Sequence, residues 1–348
     1  MRDNVVLTEL LSNIIDISSE RINLLGNNYV SEQGYEGAYT DLCDDIEISL
    51  LKKLRQNPWQ EVVASEFATT SPWLYRIIAD RGRSLFLDIL DIPKDGVFLD
   101  VGAGWGQVSL PLSRYGNVVA LDLTANRLNI LQEIARQEQV SLIYTQGNFL
   151  TFPFKHNVFD LIIFNGSLEW IGLGRKEGNR IRDIQIEALR RGLELLKPGG
   201  QIYVGIENSL ALKYLLGVPD DHTGLRFVTF LSETTAHSKY ATQNQSQQLP
   251  AKTWSLVEYR RIIAEAGLEE DRIYCCFPDY KLIRHMVDIR NINEFLTVRG
   301  LPYPEHNGQD GSPVGCEIEL DALYRRLATN GIAEYFCPSY GLVLCKRR

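Results

Sequence analysis

The chain has 348 residues, a formal net charge of −8 and a hydrophobic content of 45%. These values are ordinary for a globular protein and allow one elaborated domain or two small ones. The negative charge argues against a nonspecific nucleic-acid binder, and no apolar run reaches the ~20 residues that a membrane span needs. The N-terminal residues lack a signal-peptide pattern and the six cysteines lack zinc-type spacing, so we expect a cytoplasmic protein with reduced thiols.

Residues 1–90 are predicted to form a mainly helical extension, followed by a larger α/β domain over 91–348. Apolar residues recur at helical spacing in 5–17 and 46–54, and a further helix is predicted over 73–90. The segment between the first two helices carries Tyr29, Tyr35 and Tyr39. It is interpreted as a surface loop with aromatic anchors or, alternatively, as a lid over the substrate.

The larger domain is organised around V-F-L-D-V-G-A-G-W-G-Q at residues 97–107. Its apolar residues predict a strand buried on both faces, which Asp100 interrupts near the carboxyl end. Gly102, Gly104 and Gly106 then follow at alternate positions. Glycine is needed where a ligand approaches the backbone or where φ is positive. Open α/β sheets bind ligands at the carboxyl ends of their strands, so this turn is predicted to bind a ligand.

Strands and helices alternate after this turn, which predicts a doubly wound, mostly parallel sheet with helices on both faces. We expect strands at 97–102, 117–122, 142–146, 159–164, 201–206, 272–277 and 339–346. We expect the main helices at 105–115, 124–138, 179–196 and 255–266. Two insertions, at about 208–250 and 278–331, leave the carboxyl ends of strands, where a substrate should lie. Loops of this length in a compact domain are usually functional.

Three features together resemble the class I S-adenosylmethionine-dependent methyltransferases. The glycine spacing is G-x-G-x-G, and not the G-x-G-x-x-G that holds a pyrophosphate. The second strand ends in Asp122, and L-L-K-P-G-G at 195–200 leads into the fifth strand. The resemblance covers roughly residues 95–210. It implies a Rossmann-like sheet of seven strands with the last one antiparallel, S-adenosylmethionine as the cofactor, and an enzyme that transfers methyl groups (EC 2.1.1).

The resemblance also implies roles for residues at the strand ends. Asp100 and Asn165 would lie beside the methionine portion of the cofactor, and Asp122 would accept hydrogen bonds from the ribose. Asn148 and Phe149 would lie beside the adenine; Asn replaces the usual Asp, but its amide can still donate or accept there. The expected cofactor set is Asp100, Gly102, Ala103, Gly104, Gly106, Gln107, Asp122, Leu123, Asn148, Phe149 and Asn165. The plainer alternatives are a generic tight turn and, for Asp122, a helix cap.

The acceptor side is predicted from the two insertions. I-E-N at 206–208 with K-Y-L-L-G-V-P-D-D-H-T-G, and P-D-Y-K at 278–281, resemble bacterial methyltransferases of cell-surface polysaccharide and lipopolysaccharide assembly. A hydroxyl acceptor must lose its proton, and His222 is the preferred general base because the carboxylate of Asp221 would raise its pKa and orient it. The plainer alternative is a solvated loop histidine. The expected acceptor-side residues are Glu169, Trp170, Asn208, Tyr214, Arg226, Asp279, Tyr280 and Lys281.

The predicted function is methyl transfer to a hydroxyl of a sugar or a similar polar small molecule. No metal is expected, because no cluster of His, Asp and Glu shows ligand spacing. The alternatives are a natural-product O- or N-methyltransferase and a S-adenosylmethionine-binding module without catalysis. The glycine spacing and L-K-P-G-G disfavour a nicotinamide oxidoreductase. The net charge disfavours nucleic-acid methylation, as does N-G-S-L at 165–168, where such enzymes carry N/D-P-P-Y/F.

Overall fold

The computed structural model describes residues 12–16, 22–25, 28–31, 44–176, 178–244, 247–301 and 320–346. Its strands are β1 Ile22–Leu25, β2 Asn28–Ser31, β3 Gly96–Val101, β4 Gly116–Asp122, β5 Ile143–Gln146, β6 Phe159–Asn165, β7 Leu196–Glu207, β8 Leu268–Phe277, β9 His285–Asp288 and β10 Ser339–Lys346. Its α-helices are α1 Asp44–Leu54, α2 Trp59–Phe67, α3 Pro72–Ala79, α4 Ser109–Leu112, α5 Ala125–Gln137, α6 Ile181–Leu195, α7 Leu212–Leu215, α8 Glu233–Gln243, α9 Leu256–Glu265, α10 Ile292–Arg299 and α11 Leu320–Thr329.

The centre of the sheet is parallel and apolar on both faces. β5, β4, β3, β6 and β7 pair in this order, and every pair is parallel. Phe98 packs on one face with Phe86, whereas its neighbour Leu99 packs on the other face with Phe164. Alternate side chains of a strand point to opposite faces, so this near-continuous apolar run fills a core on each side. The predicted doubly wound α/β architecture is therefore observed.

The sheet is wider than the predicted seven strands, because the described residues form ten in the order β1-β2-β5-β4-β3-β6-β7-β10-β8-β9. β10 runs antiparallel between β7 and β8, which confirms the expected orientation of the last strand. The additional strands lie at the edges: β1 and β2 form an antiparallel pair beside β5, and β9 pairs with β8. Tyr29 belongs to β2 and not to a loop. Tyr35 and Tyr39 lie outside the described residues.

Several element boundaries differ from the predictions for identifiable reasons. The helix expected over 105–115 is observed only as α4. Three glycines with positive φ come just before it, and Pro111 lies within it. The helix expected over 73–90 ends at Ala79, where the side chain of Asp80 accepts a hydrogen bond from the backbone N–H of Gly82 and starts a 3₁₀ segment. α9 begins as expected, because Ser255 and Glu258 form a capping box.

Residues of the N-terminal part and of both insertions pack into the core on one face of the central sheet. α1 packs against α5, and Ile15 forms an isolated bridge with Phe154. The first insertion contains α7 and α8, and the second contains β9, α10 and α11, with 302–319 outside the described residues. The division of the chain at residue 90 stays a prediction. Among the described residues, no helix has the length and apolar character to cross a membrane.

Candidate active site

A cavity of about 450 Å³ lies at the carboxyl ends of β3, β4 and β6. Most of the residues predicted to hold the cofactor line it: Asp100, Gly102, Ala103, Gly104, Gln107, Asp122, Leu123, Asn148, Phe149 and Asn165. Gly106 does not border this cavity as the described residues define it. A Cβ there would lie 2.2 Å from Cδ1 of Leu131, so Gly106 serves the packing of the turn against α5.

The turn after β3 requires glycine at its first position. Gly102 has a φ of +78°, and a Cβ on it would lie 2.8 Å from the Cβ of Ser167. Its backbone N–H donates to the carbonyl of Leu121 at 2.8 Å, which ties the turn to β4. Gly102 and Ala103 both line the cavity, as expected for a ligand-binding turn.

Asp122, the last residue of β4, holds the turn and also borders the cavity. Its Oδ2 accepts a hydrogen bond from the N–H of Gly104 at 2.9 Å. Its Oδ1 accepts from the N–H of Thr124 at 3.0 Å and from its hydroxyl at 2.9 Å. The capping role and the cavity position are therefore both present. A carboxylate oxygen can accept more than one hydrogen bond, so these contacts leave capacity for a ribose hydroxyl.

Asp100 is a buried carboxylate at the other side of the same turn. Burial raises its pKa to about 6, although the hydroxyl of Ser109, which donates to Oδ2 at 2.6 Å, and the charge of Arg83 act in the opposite direction. Arg83 also lines the cavity, and its Nη2 donates to the carbonyl of Asn165 at 3.3 Å. The sequence analysis missed Arg83, because nothing in the spacing of the 3₁₀ segment connects it with the glycine turn.

Glu47 closes the cavity on the side of Asp122 and was also missed. It belongs to α1, its side chain is 1% exposed, and its Oε1 lies 3.5 Å from Nε of Arg127. Burial raises its pKa, with the charge of Arg127 opposing. Oε2 finds no hydrogen-bond partner among the described residues. A helix from the N-terminal part thus contributes a carboxylate to the cavity wall.

His222 lies on the acceptor side, between three carboxylates. Its Nδ1 is 3.2 Å from Oδ1 of Asp220, and its Nε2 is 3.6 Å from Oε2 of Glu207 and 3.7 Å from Oε1 of Glu169. The partner of the ring is therefore Asp220, and the prediction of Asp221 was wrong. The reason is a tight turn in which Oδ2 of Asp220 accepts from the N–H and the hydroxyl of Thr223, which directs Oδ1 to the ring.

The charges around His222 decide its protonation. Burial would lower the pKa of the ring, but the carboxylates of Glu207 and Asp220 outweigh burial and raise it well above the ordinary value. The ring therefore carries a proton on both nitrogens at neutral pH when only these groups surround it. An imidazolium cannot accept a proton, so the sequence-based role of a base poised near neutral pH does not follow from these surroundings.

Asp221 faces two lysines instead of His222. Its Oδ2 is 3.0 Å from Nζ of Lys281 and 3.4 Å from Nζ of Lys213. Lys281 also contacts Oε1 of Glu207. Although burial would raise the pKa of Asp221, the two ammonium groups hold it well below its usual range. Asp221 and Lys281 both line the cavity, where they offer a negative and a positive group to a polar molecule.

The remaining acceptor-side predictions divide into two groups. Trp170, Asp279 and Tyr280 line the cavity, and Glu169 lies behind His222, where it accepts a hydrogen bond from the Tyr280 hydroxyl at 3.2 Å. Asn208, Tyr214 and Arg226 do not border the cavity as far as the described residues define it. Asn208 donates to the backbone carbonyls of Tyr335 and Cys337, Tyr214 is packed in the interior, and Arg226 is exposed.

The fold also assembles a possible metal-binding cluster that the sequence spacing did not reveal. Glu169, Glu207 and His222 each offer one ligand atom, and these atoms all lie within 4.8 Å of one another. Glu207 ends β7, Glu169 follows β6, and His222 comes from the first insertion. The three residues meet only because the carboxyl ends of parallel strands lie at one edge of the sheet.

Comparison with known proteins gives one family match and several distant relatives. Residues 99–204 match the family described as a methyltransferase domain. An uncharacterized protein of Mycobacterium tuberculosis is 39% identical over 66 residues, which are 19% of this chain and 24% of that protein. The ubiquinone/menaquinone biosynthesis C-methyltransferase UbiE of Wigglesworthia glossinidia brevipalpis is 24% identical over 170 residues, 46% of this chain and 64% of that protein. The chain thus spans about a quarter of the first relative and less than two thirds of the second.

Among solved structures, similarity is found at low sequence identity. An S-adenosylmethionine-dependent methyltransferase from Clostridium acetobutylicum superposes with a TM-score of 0.46 and 13% identity, over 79% of this chain and 97% of that one. The match over residues 99–204 supports a methyltransferase domain in this part of the chain, with S-adenosylmethionine as the cofactor. The matches do not extend to the polysaccharide subgroup, which stays a prediction.

Proposed function

We propose that this protein transfers the methyl group of S-adenosylmethionine to a hydroxyl of a polar small molecule such as a sugar. The observation that carries the proposal is a single cavity shared by two sets of residues. Gly102 and Asp122 line it on the cofactor side, and Asp221, His222 and Lys281 line it on the acceptor side. Its volume of about 450 Å³ is in the range of small-molecule sites, roughly 300–1,000 Å³.

The cofactor supplies a methyl group on a positively charged sulfur, and the protein has to align the acceptor with it. Asp122 would hold the ribose, and Asp100 would attract the ammonium of the methionine portion. The aromatic rings of Trp170 and Tyr280 border the same cavity and would restrict water and the orientation of the acceptor. Alignment alone can supply several kcal/mol of a two-substrate barrier, roughly up to 7–11 kcal/mol in ideal cases.

The acceptor wall favours a polar molecule, because it combines a carboxylate and an ammonium group beside aromatic rings. The carboxylate of Asp221 can accept a hydrogen bond from a hydroxyl, and Lys281 can donate to one. A second candidate, a natural-product scaffold with a larger apolar part, is favoured by a different wall. Trp73, Leu74 and Ile77, all on α3, line the cavity with apolar surface.

The proposal is tested with S-adenosylmethionine carrying an isotope-labelled methyl group. The purified protein is incubated with this cofactor and small-molecule extracts, and labelled products are identified by mass spectrometry. A labelled methyl ether on a polar product that fails to form with Asp122→Ala supports the proposal. A labelled N-methyl product would contradict the acceptor chemistry. If the protein binds S-adenosylhomocysteine but no extract gives a labelled product, a cofactor-binding module without catalysis is favoured.

A further inference from the structure

We infer that Glu169, Glu207 and His222 bind one divalent transition-metal cation in the wall of the cavity. The donor set is one imidazole nitrogen and two carboxylates, a mixture that suits cations such as zinc, manganese or iron. All three side chains are nearly inaccessible, with exposures of 0%, 1% and 4%. His222 borders the cavity, so a cation bound here would lie next to the acceptor.

The distances between the donor atoms fit such a cation. Nε2 of His222 is 3.6 Å from Oε2 of Glu207 and 3.7 Å from Oε1 of Glu169. Ligands bound tetrahedrally at about 2.0–2.1 Å are about 3.4 Å from one another. Small movements of the carboxylates would therefore bring all three atoms into bonding distance of one ion.

The surroundings of the cluster match those of a metal site. Asp220 lies 3.2 Å from Nδ1 of His222, which is the carboxylate–histidine pairing that orients Nε2 towards a metal. The Tyr280 hydroxyl donates to Glu169, and Lys281 contacts Oε1 of Glu207. Each of the three proposed ligands is thus held by a second side chain, as metal ligands usually are.

An independent observation points to a missing partner at the two carboxylates of the cluster. Oε2 of Glu169 and Oε2 of Glu207 are buried and find no hydrogen-bond partner among the described residues. A buried carboxylate oxygen without a partner is costly, and the ring of His222 turns only one nitrogen, Nε2, towards these two carboxylates. A divalent cation would compensate both carboxylates, and its binding would displace the proton from Nε2 of His222, whose lone pair then becomes the third ligand.

The cation would have a chemical use in this position, which rests on the proposed function. Three protein ligands leave at least one coordination position of a tetrahedral ion open. A hydroxyl that enters this position is polarised, and its proton is more easily lost. His222 then acts as a ligand and not as a base. Binding of the cation itself does not depend on which molecule is methylated.

The test is a titration of the chelator-treated full chain with cobalt(II), without cofactor or acceptor. Cobalt reports four-coordinate binding through its visible absorption, and calorimetry gives the stoichiometry and affinity. We expect one cobalt ion per chain, displaced by zinc. Glu169→Gln and His222→Gln should each weaken binding at least tenfold. Asp220→Asn removes a positioning residue and should weaken binding about 10–100-fold.

Glu47→Gln is the matched control, because it also removes a buried carboxylate from the cavity wall but lies at the opposite end. It should bind cobalt as the unaltered protein does. Each variant is first shown to be folded by its circular dichroism spectrum and a cooperative urea unfolding transition. Absence of cobalt binding, or equal binding by Glu169→Gln and the unaltered protein, would overturn the metal site. Neither result would bear on methyl transfer, because neither measurement involves it.

Discussion

Nδ1 of His222 lies 3.2 Å from Oδ1 of Asp220, whereas the adjacent Asp221 directs its carboxylate to Lys213 and Lys281. The two consecutive aspartates therefore have different tasks. Asp220 orients the ring, and Asp221 neutralises two ammonium groups that the fold buries. Replacing aspartate by asparagine is therefore expected to have different effects at positions 220 and 221.

Asp221→Asn is expected to destabilise the protein by about 3 kcal/mol, because the buried ammonium of Lys213 loses its ion-pair partner, whereas Lys281 keeps Glu207. Asp220→Asn should cost less, about 1–3 kcal/mol, the range for lost hydrogen bonds to a buried group. Urea unfolding followed by circular dichroism measures both. Asp271→Asn, which removes an exposed partner of Arg272, serves as the control and should cost less than about 1 kcal/mol. Equal costs for Asp221→Asn and this control would contradict the assignment.

Asp122→Ala should weaken the binding of S-adenosylhomocysteine by roughly 1.5–3 kcal/mol, because the ribose hydroxyls lose a charged acceptor. Calorimetry on the folded variant measures the loss. Asp160→Ala is a matched control, since Asp160 binds the N–H of Val97 and Lys197 instead of lining the cavity. The assignment of Asp122 to the ribose is refuted if both variants bind the ligand equally well.

The affinity for S-adenosylmethionine should rise with pH because the pKa of Asp100 is raised to about 6. The positively charged cofactor favours the ionised carboxylate. The affinity should therefore fall about tenfold when the pH is lowered from 7 to 5. Asp100→Asn should bind more weakly at pH 7 and show no such change. A pH-independent affinity in the unaltered protein would show that this carboxylate does not face the cofactor's charge.

The raised pKa of Asp100 also makes the folding stability depend on pH, and this stability falls as the pH rises. Because the folded pKa exceeds the unfolded one, the folded protein binds more protons than the unfolded chain between about pH 4 and pH 6. The contribution of Asp100 to stability is therefore lost as the pH rises through this window, by about 3 kcal/mol in all. Asp100→Asn should remove this part of the pH dependence of the free energy of urea unfolding. If the variant keeps the same pH profile as the unaltered protein, Asp100 is not its source.

Gly102→Ala should reduce both stability and cofactor binding. The positive φ costs an alanine about 1 kcal/mol, and its Cβ would lie 2.8 Å from the Cβ of Ser167. Gly199→Ala separates these effects, because Gly199 has a φ of +82° but nothing within 4 Å of the added atom. Thermal unfolding should show the larger loss for Gly102→Ala, and only this variant should bind S-adenosylhomocysteine more weakly. Similar losses of stability and binding in both variants would show that the close approach to Ser167 does not contribute.

The sequence predicts the parts of the fold that local pattern determines. The buried run of β3, the glycine turn and Asp122 follow from apolar composition, backbone requirements and position at a strand end. The pair β1–β2 was missed, although Gly26-Asn27 between two short runs is a hairpin signal. Its place beside β5 could not be foreseen, because an edge strand is selected by tertiary packing.

The acceptor side was predictable only in part, because its residues meet through the topology. His222 was identified, but its partner was assigned to the adjacent residue in the chain. The turn that brings Asp220 to the ring depends on hydrogen bonds to Thr223 that spacing does not disclose. Glu169 and Glu207 are far apart in sequence and close in space, so no ligand pattern was visible. Arg83 and Glu47 come from elements outside the recognised motifs.

The final prediction concerns Arg83, which lies between Asp100 and Asn165 in the cavity wall. This position places a guanidinium where the carboxylate of the cofactor's methionine portion is expected. Arg83→Gln should therefore weaken the binding of S-adenosylhomocysteine by about 1.5–3 kcal/mol, the range for a hydrogen bond to a charged group. Methylthioadenosine has the same adenine and ribose but lacks the amino-acid portion. Its affinity should be unchanged in Arg83→Gln and reduced in Asp122→Ala.

Calorimetric titration of both variants with both ligands separates the two ends of the cavity. Arg81→Gln is the control, because Arg81 lies in the same 3₁₀ segment but is exposed. Arg83→Lys should recover part of the affinity, since it keeps the charge but not the paired donors of the guanidinium. If Arg83→Gln weakens the binding of methylthioadenosine as much as that of S-adenosylhomocysteine, Arg83 acts by stabilising the cavity wall through its hydrogen bond to Asn165. The guanidinium would then have no contact with the carboxylate.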